Sequence, residues 1–398
     1  MADRDVDILL VGGGIASATA AATLRDEGFE GTVLLVSREL DQPYHRPPVS
    51  KGYLQGLESR SDALVHPEGW WERNGVELAT RTSVLGLDPA ARTATLSTRT
   101  EVGFGQALVA TGATVRRLAV DGAQLEGVHY LRTLGTADAD DVVDLLEVGQ
   151  QRVGGSYIAS EVAASLTVLG KRVTVLMQET HTLERHFGGV AGLWFRELLE
   201  EHGIAVVGRD EVARFEGDGE RVARVVTSGG RTLPAGAVVC GVGALPDVML
   251  ARKAGLELGP LGGIRCDARL RTSASGVFAA GDSCEFDSVL HGRPMRIEHE
   301  DVAARQGATA ARNLLGADAP HEDVPYFFSD LADWAAIEYV GPAQAWDEEL
   351  VRGSLEDGRF AVWYLHEGRV AAMLSVNGGG DLDHARDLVR SGAPLEER

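Results

Sequence analysis

Val6-Asp7-Ile8-Leu9-Leu10-Val11-Gly12-Gly13-Gly14-Ile15-Ala16-Ser17-Ala18-Thr19-Ala20-Ala21 is the stretch that decides the fold. An apolar run that ends in glycines and continues into alanine-rich sequence reads as a strand Val6 to Val11, a turn and a helix Ile15 to Arg25. The apolar run Val33 to Val36 closes a βαβ unit. Gly12 permits the tight turn, and Gly14 lets backbone approach a pyrophosphate at the helix N-terminus. Ser17 takes the third glycine position and is small enough for close helix-to-strand packing. Such a loop also occurs as a purely structural turn, so the rest of the chain must decide its role.

A second unit of this kind starts at Gly154-Gly155-Ser156-Tyr157-Ile158-Ala159, continues through a helix ending near Leu169 and reaches a strand Val173 to Leu176. It is degenerate, with Ser156 at the point of closest approach and Ala159 in place of the last glycine. Arg152-Val153 offers one apolar residue where a buried parallel strand has several, which predicts that Leu145 to Val148 shift into the sheet or that the domain loosens. Val76 to Leu96 and Arg221 to Val239 alternate in the manner of antiparallel strands, and Pro325 opens a separate segment containing the strand-like runs Phe360 to Leu365 and Val370 to Val376. Two nucleotide-type units in one chain imply two dinucleotide-binding regions.

The 398 residues suggest two or three domains. A formal net charge of −21 and a sequence pI near 4.9 argue against nucleic acid or an anionic membrane as partner. The segment 318–398 holds 17 acids against six arginines, which reads as a solvated surface. Cys240, Cys266 and Cys284 form no CxxC pair, excluding a disulfide scaffold, a cysteine-rich zinc site and a local redox disulfide. The 11 histidines show no HxxxH or HExxH spacing, so no metal site is expected, and no GxSxG elbow is present. No run approaches the ~20 apolar residues of a membrane span, and Asp3, Arg4, Asp5 and Asp7 break any leader-like pattern. The expectation is a soluble cytoplasmic protein.

Further strings stand in a telling order: Pro43-Tyr44-His45-Arg46-Pro47-Pro48-Val49-Ser50-Lys51, Ala110-Thr111-Gly112-Ala113, Tyr130-Leu131-Arg132-Thr133 and Val277-Phe278-Ala279-Ala280-Gly281-Asp282. With them the chain resembles, over nearly its whole length, the FAD-dependent pyridine-nucleotide reductases of the ferredoxin reductase (putidaredoxin reductase-like) type, related to the apoptosis-inducing factor branch. The Arg-Pro-Pro-x-Ser-Lys string and the Gly-Asp ending are the specific parts. The resemblance implies an α/β fold with two Rossmann-like dinucleotide-binding domains, for FAD and NAD, and a C-terminal α+β domain. Residues 1–113 and 241–322 would form a discontinuous FAD-binding domain, 114–240 the NAD(P)H-binding domain and 323–398 the C-terminal domain.

The resemblance also implies site residues. Gly12, Gly14, Ala16, Ser17, Glu39, Arg46, Lys51, Val84, Ala110, Thr111, Gly112, Arg132, Asp282 and Glu298, His299, Glu300 look like FAD contacts. Asp282 would accept a ribityl hydroxyl, with a following helix N-terminus facing the pyrophosphate. Arg132 would meet a phosphate or form a surface ion pair. Lys51 would lie beside the reactive flavin edge, paired with Glu161, the two acting as the catalytic pair. Tyr326-Phe327-Phe328-Ser329-Asp330 is similar to the family's aromatic segment, and Phe328 stands where a tryptophan borders the flavin. Gly154, Ser156, Tyr157, Ile158, Glu161, Glu179 and Gly243 would hold the nicotinamide nucleotide.

Met177 replaces the family's ribose-binding acid, and Glu179 would serve instead. With no arginine cluster read there, Arg185 being eight residues beyond Met177, NADH is favoured and NADPH stays open. Ser50 and Lys51 stand where relatives that work through thiols carry a cysteine. The implied activity is therefore hydride transfer from NADH to FAD and single-electron transfer onward to a 2Fe-2S ferredoxin of an oxygenase system, by a monomer or homodimer. Arginines 293, 296 and 305 would have to form a local patch, because an acidic ferredoxin is otherwise repelled. The alternatives are a reductase of a small acceptor, such as a quinone or monodehydroascorbate-like radical, and an NADH-responsive flavin-binding interaction protein.

Overall fold

The computed structural model describes residues 2–138, 150–153, 157–342 and 345–395. They divide into two compact units, Met1–His45 with Ser61–Thr114 and Leu245–Pro325, and Arg46–Arg60 with Val115–Ala244 and Tyr326–Arg398.

The first unit is built on the strand Arg4–Val11, whose last four residues are all buried. It runs parallel to Val33–Val36 on one side and to Glu101–Val109 on the other. Val76–Ala79 continues the parallel sheet beyond Val33–Val36, so the antiparallel reading of that segment is corrected. Only Val84–Asp88 and Thr93–Leu96 form an antiparallel hairpin there. Alternation reports which face of a strand is buried and says nothing about the direction of its neighbour. Val277–Ala279 pairs parallel with the end of Glu101–Val109 and so completes the sheet.

The helix Ile15–Asp26 buries Ala16, Ser17, Ala18, Ala20 and Ala21. It packs closely on the helix Glu300–Leu314, where a Cβ on Gly307 would lie 2.1 Å from the Ala16 carbonyl oxygen. Only a glycine there permits this approach.

In the second unit a five-stranded parallel sheet has the order Ala205–Val207, Val173–Leu176, Gln150–Val153, Ala237–Cys240, Val128–His129. Its central strand is Gln-Gln-Arg-Val, paired over all four residues on both sides. The expected deficit of apolar residues therefore does not prevent pairing: backbone hydrogen bonds need no side chain, and the flanking strands supply the buried Val173, Val175, Leu176, Val238 and Val239. The stretch Leu145 to Val148 lies outside the described residues. Ala237–Cys240 is likewise parallel, which leaves Val212–Asp218, Arg221–Thr227 and Thr232–Pro234 as the antiparallel part of that region. The segment from Tyr326 forms a five-stranded antiparallel sheet covered by the helix Leu382–Ser391.

Candidate functional site

In the first unit, the chain leaves its central strand through Gly12 at φ +116°, where a Cβ would lie 2.1 Å from the Ala110 carbonyl oxygen. A Cβ on Gly13 would strike Ser37 Oγ, also at 2.1 Å. Gly14 differs. It is the N-cap of the helix Ile15–Asp26, provides no side-chain cap, and a Cβ there meets nothing within 4 Å. Protein packing thus explains the first two glycines, whereas the third leaves open a cradle over uncapped first-turn N–H groups, the arrangement a phosphate fits. Ser17 is fully buried, as its small size at this position requires.

Around that turn, Ala110 donates its N–H to Val11, and Thr111 Oγ1 donates to the Asp247 carbonyl at 2.5 Å. Asp247 N–H returns a bond to Gly112, and its carboxylate pairs with Arg38 at 2.8 Å. Glu39 accepts from Tyr44 Oη at 2.6 Å, and Val84 packs partly buried against the core of the sheet. Asp282 sits in a 3-10 turn, Gly281–Ser283, with Gly281 at φ +75° donating its N–H to Gln306 Oε1. A strand, Cys284–Ser288, follows it, so the expected helix after Asp282 is corrected. The helix of this region begins at Glu300, with His299 as its N-cap. Arg296 fixes the turn by donating to the Asp282 carbonyl at 3.2 Å while pairing with Glu298 at 2.5 Å. His45 Nδ1 meets Glu300 Oε1 at 2.7 Å, and this hydrogen bond raises the imidazole pKa above its ordinary value.

In the second unit, Pro47 and Pro48 start a 3-10 turn that ends at Ser50 and delivers Lys51. The helix Tyr157–Val168 presents Glu161, only 4% exposed. Lys51 Nζ lies 3.2 Å from Glu161 Oε1 and 3.7 Å from Asp330 Oδ2, and 5.1 Å from the centre of the Phe328 ring. Ser50 Oγ donates to Glu161 Oε2, and Ser329 Oγ donates to Oε1 at 2.6 Å. Both serines are buried, at 2% and 1% exposure. A buried carboxylate thus faces one cation and accepts from two hydroxyl donors, which fixes its orientation. The strand Tyr326–Leu331 explains this grouping, because residues two apart share a face: Phe328 and Asp330 reach Lys51 while Ser329 points inward to Glu161. Ser50, Ser329 and Asp330 are site residues that the sequence alone does not single out.

Arg46 donates to the Arg132 carbonyl at 3.0 Å, so these two expected residues meet through backbone. Tyr157 packs against Phe327 at 4.3 Å and His186 at 4.5 Å between ring centres. Ile158 is exposed, and Gly243, at φ +90°, has open space where a Cβ would be. Gly154 and Ser156 lie outside the described residues.

Glu179 follows the strand Val173–Leu176. Its Oε1 is 2.9 Å from Arg185 Nη2, its carbonyl accepts from Arg209 N–H, and the next carbonyl, Thr180, accepts from Arg196 Nη1 at 3.2 Å. The expected absence of an arginine cluster at this point is therefore corrected. The expected arginine patch fares the opposite way, since Arg296 is paired with Glu298 and Arg305 with Asp301 and Asp323. The three cysteines are buried and free.

Residues 6–307 match the family described as pyridine nucleotide-disulphide oxidoreductase, and 326–398 match the reductase C-terminal domain. The chain belongs to the pyridine nucleotide-disulphide oxidoreductase family. It is an FAD-dependent oxidoreductase that works with NAD(P)H. It is 36% identical over 394 residues, 98% of this chain and 94% of the relative, to the 5,5'-dehydrodivanillate O-demethylase ferredoxin reductase subunit of Sphingobium sp. (strain NBRC 103272 / SYK-6). With the benzene 1,2-dioxygenase system ferredoxin–NAD(+) reductase subunit of Pseudomonas putida it shares 32% identity over 98% of this chain and 93% of that one. Among solved structures, the covalent putidaredoxin reductase–putidaredoxin complex aligns with a TM-score of 0.92 at 29% identity, covering 100% of this chain and 95% of the other. Among the described residues no helix is long and apolar enough to cross a membrane.

At Gly14 an added Cβ meets no protein atom within 4 Å, so the space beside the helix N-terminus, which has no side-chain cap, is open to a phosphate group. The residues present fit the dinucleotide.

Proposed function

We propose that this chain is the reductase component of an oxygenase electron-transfer system, taking reducing equivalents from NAD(P)H and passing single electrons to a 2Fe-2S ferredoxin. The observation that carries this reading is the Lys51–Glu161 pair with Ser50 beside it, in a chain whose three cysteines are all buried elsewhere. Electrons thus leave without a thiol relay. When bound, FAD supplies the two-electron to one-electron conversion. Gly14 and the helix N-terminus behind it would hold its pyrophosphate, with Gly12, Ala16 and Ser17 shaping that turn by packing; Ala110, Thr111 and Gly112 frame the turn beside it, and Asp282 would accept from its sugar chain. Lys51 offers a cation to the reactive edge, and Glu161 with its two serines keeps that cation in place. Tyr157, Glu179 and Gly243 bind the nicotinamide nucleotide. The domain assignment follows: 1–113 and 241–322 for FAD, 114–240 for the nucleotide and 323–398 for the C-terminal domain. The relatives named as ferredoxin reductases of demethylase and dioxygenase systems support the partner. We place the protein in the cytoplasm, where three reduced cysteines persist.

One observation favours a second reading, reduction of a small acceptor such as a quinone. Arg296 and Arg305 are already paired with carboxylates, which lowers the charge available to hold an acidic ferredoxin. Anaerobic addition of NADH should bleach the yellow protein, and cytochrome c reduction should then require an added 2Fe-2S ferredoxin. A protein that stays oxidised under NADH and NADPH overturns the reductase reading. Equal turnover with a quinone at all salt concentrations, and none with ferredoxin, selects the second.

A further inference from the structure

Glu285 is completely buried, at 0% exposure, on the strand Cys284–Ser288, three residues beyond Asp282. Parallel pairing sets it opposite Arg265 of the strand Ile264–Cys266, which the loop Gly259-Pro260-Leu261-Gly262-Gly263 leads into. Its side chain turns to that loop, where Oε2 accepts from the N–H groups of Leu261 at 2.9 Å and Gly263 at 3.2 Å. The loop is shaped to admit it. A Cβ on Gly259 would lie 2.1 Å from the carboxylate carbon, and one on Gly263 would lie 2.8 Å from Glu285 Cβ. Two glycines thus stand where a larger residue would expel the acid. The second oxygen, Oε1, is buried with no hydrogen-bond partner among the described residues. A desolvated acid with one oxygen unpaired is a costly way to close a short loop, so stability alone does not call for it.

Leu261 is gripped from its other side as well. Its carbonyl accepts from Arg296 Nε at 3.2 Å, while Nη1 of the same guanidinium donates to the Asp282 carbonyl at 3.2 Å and to Glu298 Oε1. The guanidinium is planar and its donors keep a fixed angle, so the place of Leu261 decides how Arg296 meets the Asp282 turn. A continuous path runs from Glu285 through Leu261 and Arg296 to the backbone that carries Asp282. We propose that Glu285 is a positioning residue for the flavin: it fixes Leu261, Leu261 aims Arg296, and Arg296 sets the turn at Asp282. This rests on the reading of Asp282 as a contact of the flavin sugar chain. A turn fixed before the ligand arrives loses less freedom on binding, which raises affinity.

The test is fluorescence titration of the flavin-free protein with FAD, with thermal midpoints measured alongside. Glu285→Ala should weaken FAD about tenfold. Glu285→Gln offers an amide oxygen to both loop N–H groups and should bind FAD within about threefold of the wild type, even where its buried NH2 group lowers the thermal midpoint. Gly259→Ala places a methyl group against the carboxylate and should weaken FAD in the same way with Glu285 itself intact. Arg296→Met should also cost about tenfold, and adding Glu285→Ala to it should cost less than about twofold more, because both break one path. Should Glu285→Ala not fold, Gly259→Ala alone and combined with Arg296→Met gives the same comparison. A Glu285→Ala protein that melts lower but binds FAD like the wild type overturns the inference, as do losses that multiply in the double variant. In either case an Asp282→Ala variant that binds FAD weakly leaves the reading of Asp282 standing. Wild-type affinity in Asp282→Ala overturns that reading and this inference with it.

Discussion

Lys51 and Glu161 are joined by a 3.2 Å ion pair, but their supports are unequal. Lys51 has a second carboxylate, Asp330, at 3.7 Å, whereas the Glu161 carboxylate also accepts from the hydroxyls of Ser50 and Ser329. Both ends are largely shielded from water, so removing one partner leaves a charge that the interior solvates poorly.

The two single substitutions should therefore differ. Lys51→Met strands a buried carboxylate and should destabilise the protein by roughly 3 kcal/mol, the range for breaking a buried pair from one side. Glu161→Gln keeps one serine donor on the amide oxygen, turns the other hydroxyl into an acceptor for the amide NH2, and leaves Lys51 with Asp330, so its cost should be nearer ~1 kcal/mol. Urea midpoints of the two variants and of the double variant check this. Equal losses would show that Asp330 does not hold the lysine. Flavin bleaching by NADH should slow in both.

Gly14 gives a prediction of opposite sign for stability and binding. Its backbone lies in the extended region at φ −94°, ψ 179°, and an added methyl group meets no protein atom. Gly14→Ala should leave the flavin-free chain as stable or up to ~0.5 kcal/mol more stable through a less flexible unfolded state. FAD affinity should fall about tenfold or more, because the methyl group enters the pyrophosphate cradle. Gly12→Ala, at positive φ and against the Ala110 carbonyl, should impair folding itself. Thermal midpoints without flavin and fluorescence titration with FAD separate the two.

What the sequence made legible was local. The glycine turn, the helix behind it and the strands Val33–Val36 and Val173–Leu176 follow from runs of neighbouring residues. The Lys51–Glu161 pair came only through family resemblance, since nothing in periodicity links a proline-rich turn to a distant helix. Arg185 lies eight residues beyond Met177 along the chain, a separation that conceals its approach to Glu179. A helix start brings its side chain back, and Arg209 arrives from the adjacent parallel strand. Alternation carries no sign of strand polarity, so it does not reveal that Ala237–Cys240 and Val76–Ala79 pair in parallel. Gln150–Val153 pairs on both sides despite its low apolar content, because the neighbouring strands provide the core.

His45 and Glu300 predict a pH dependence with a defined sign. The pKa of His45 is raised in the folded protein, first by its hydrogen bond to Glu300. Such a group contributes stability that is full below the unfolded value of about 6.5 and is lost as pH rises through the higher folded value. The wild type should therefore exceed Glu300→Gln in urea midpoint by more at pH 6 than at pH 8.5. Any loss of helix-dipole interaction at residue 300 is common to both pH values and cancels in the comparison. His45 is 42% exposed on its side chain, so solvent screening keeps the difference below about 1 kcal/mol. A pH-independent gap would mean that the imidazole is not charged against Glu300.

The cysteines supply the last prediction, which bears on how electrons leave. Cys240, Cys266 and Cys284 are all buried. Burial pushes the Cys240 thiol up to about 12 and holds Cys284 well above the ordinary thiol value. A thiol in that state carries almost no thiolate near neutrality, and thiolate is the reactive form. A disulfide-exchange reagent should find no reactive thiol in the native protein within minutes and all three after denaturation. Native protein treated with iodoacetamide should keep its rate of flavin bleaching by NADH and its ferredoxin-dependent turnover. A fast-reacting native thiol whose alkylation stops turnover would place a cysteine on the electron path, and the direct exit proposed beside Lys51 would then be wrong.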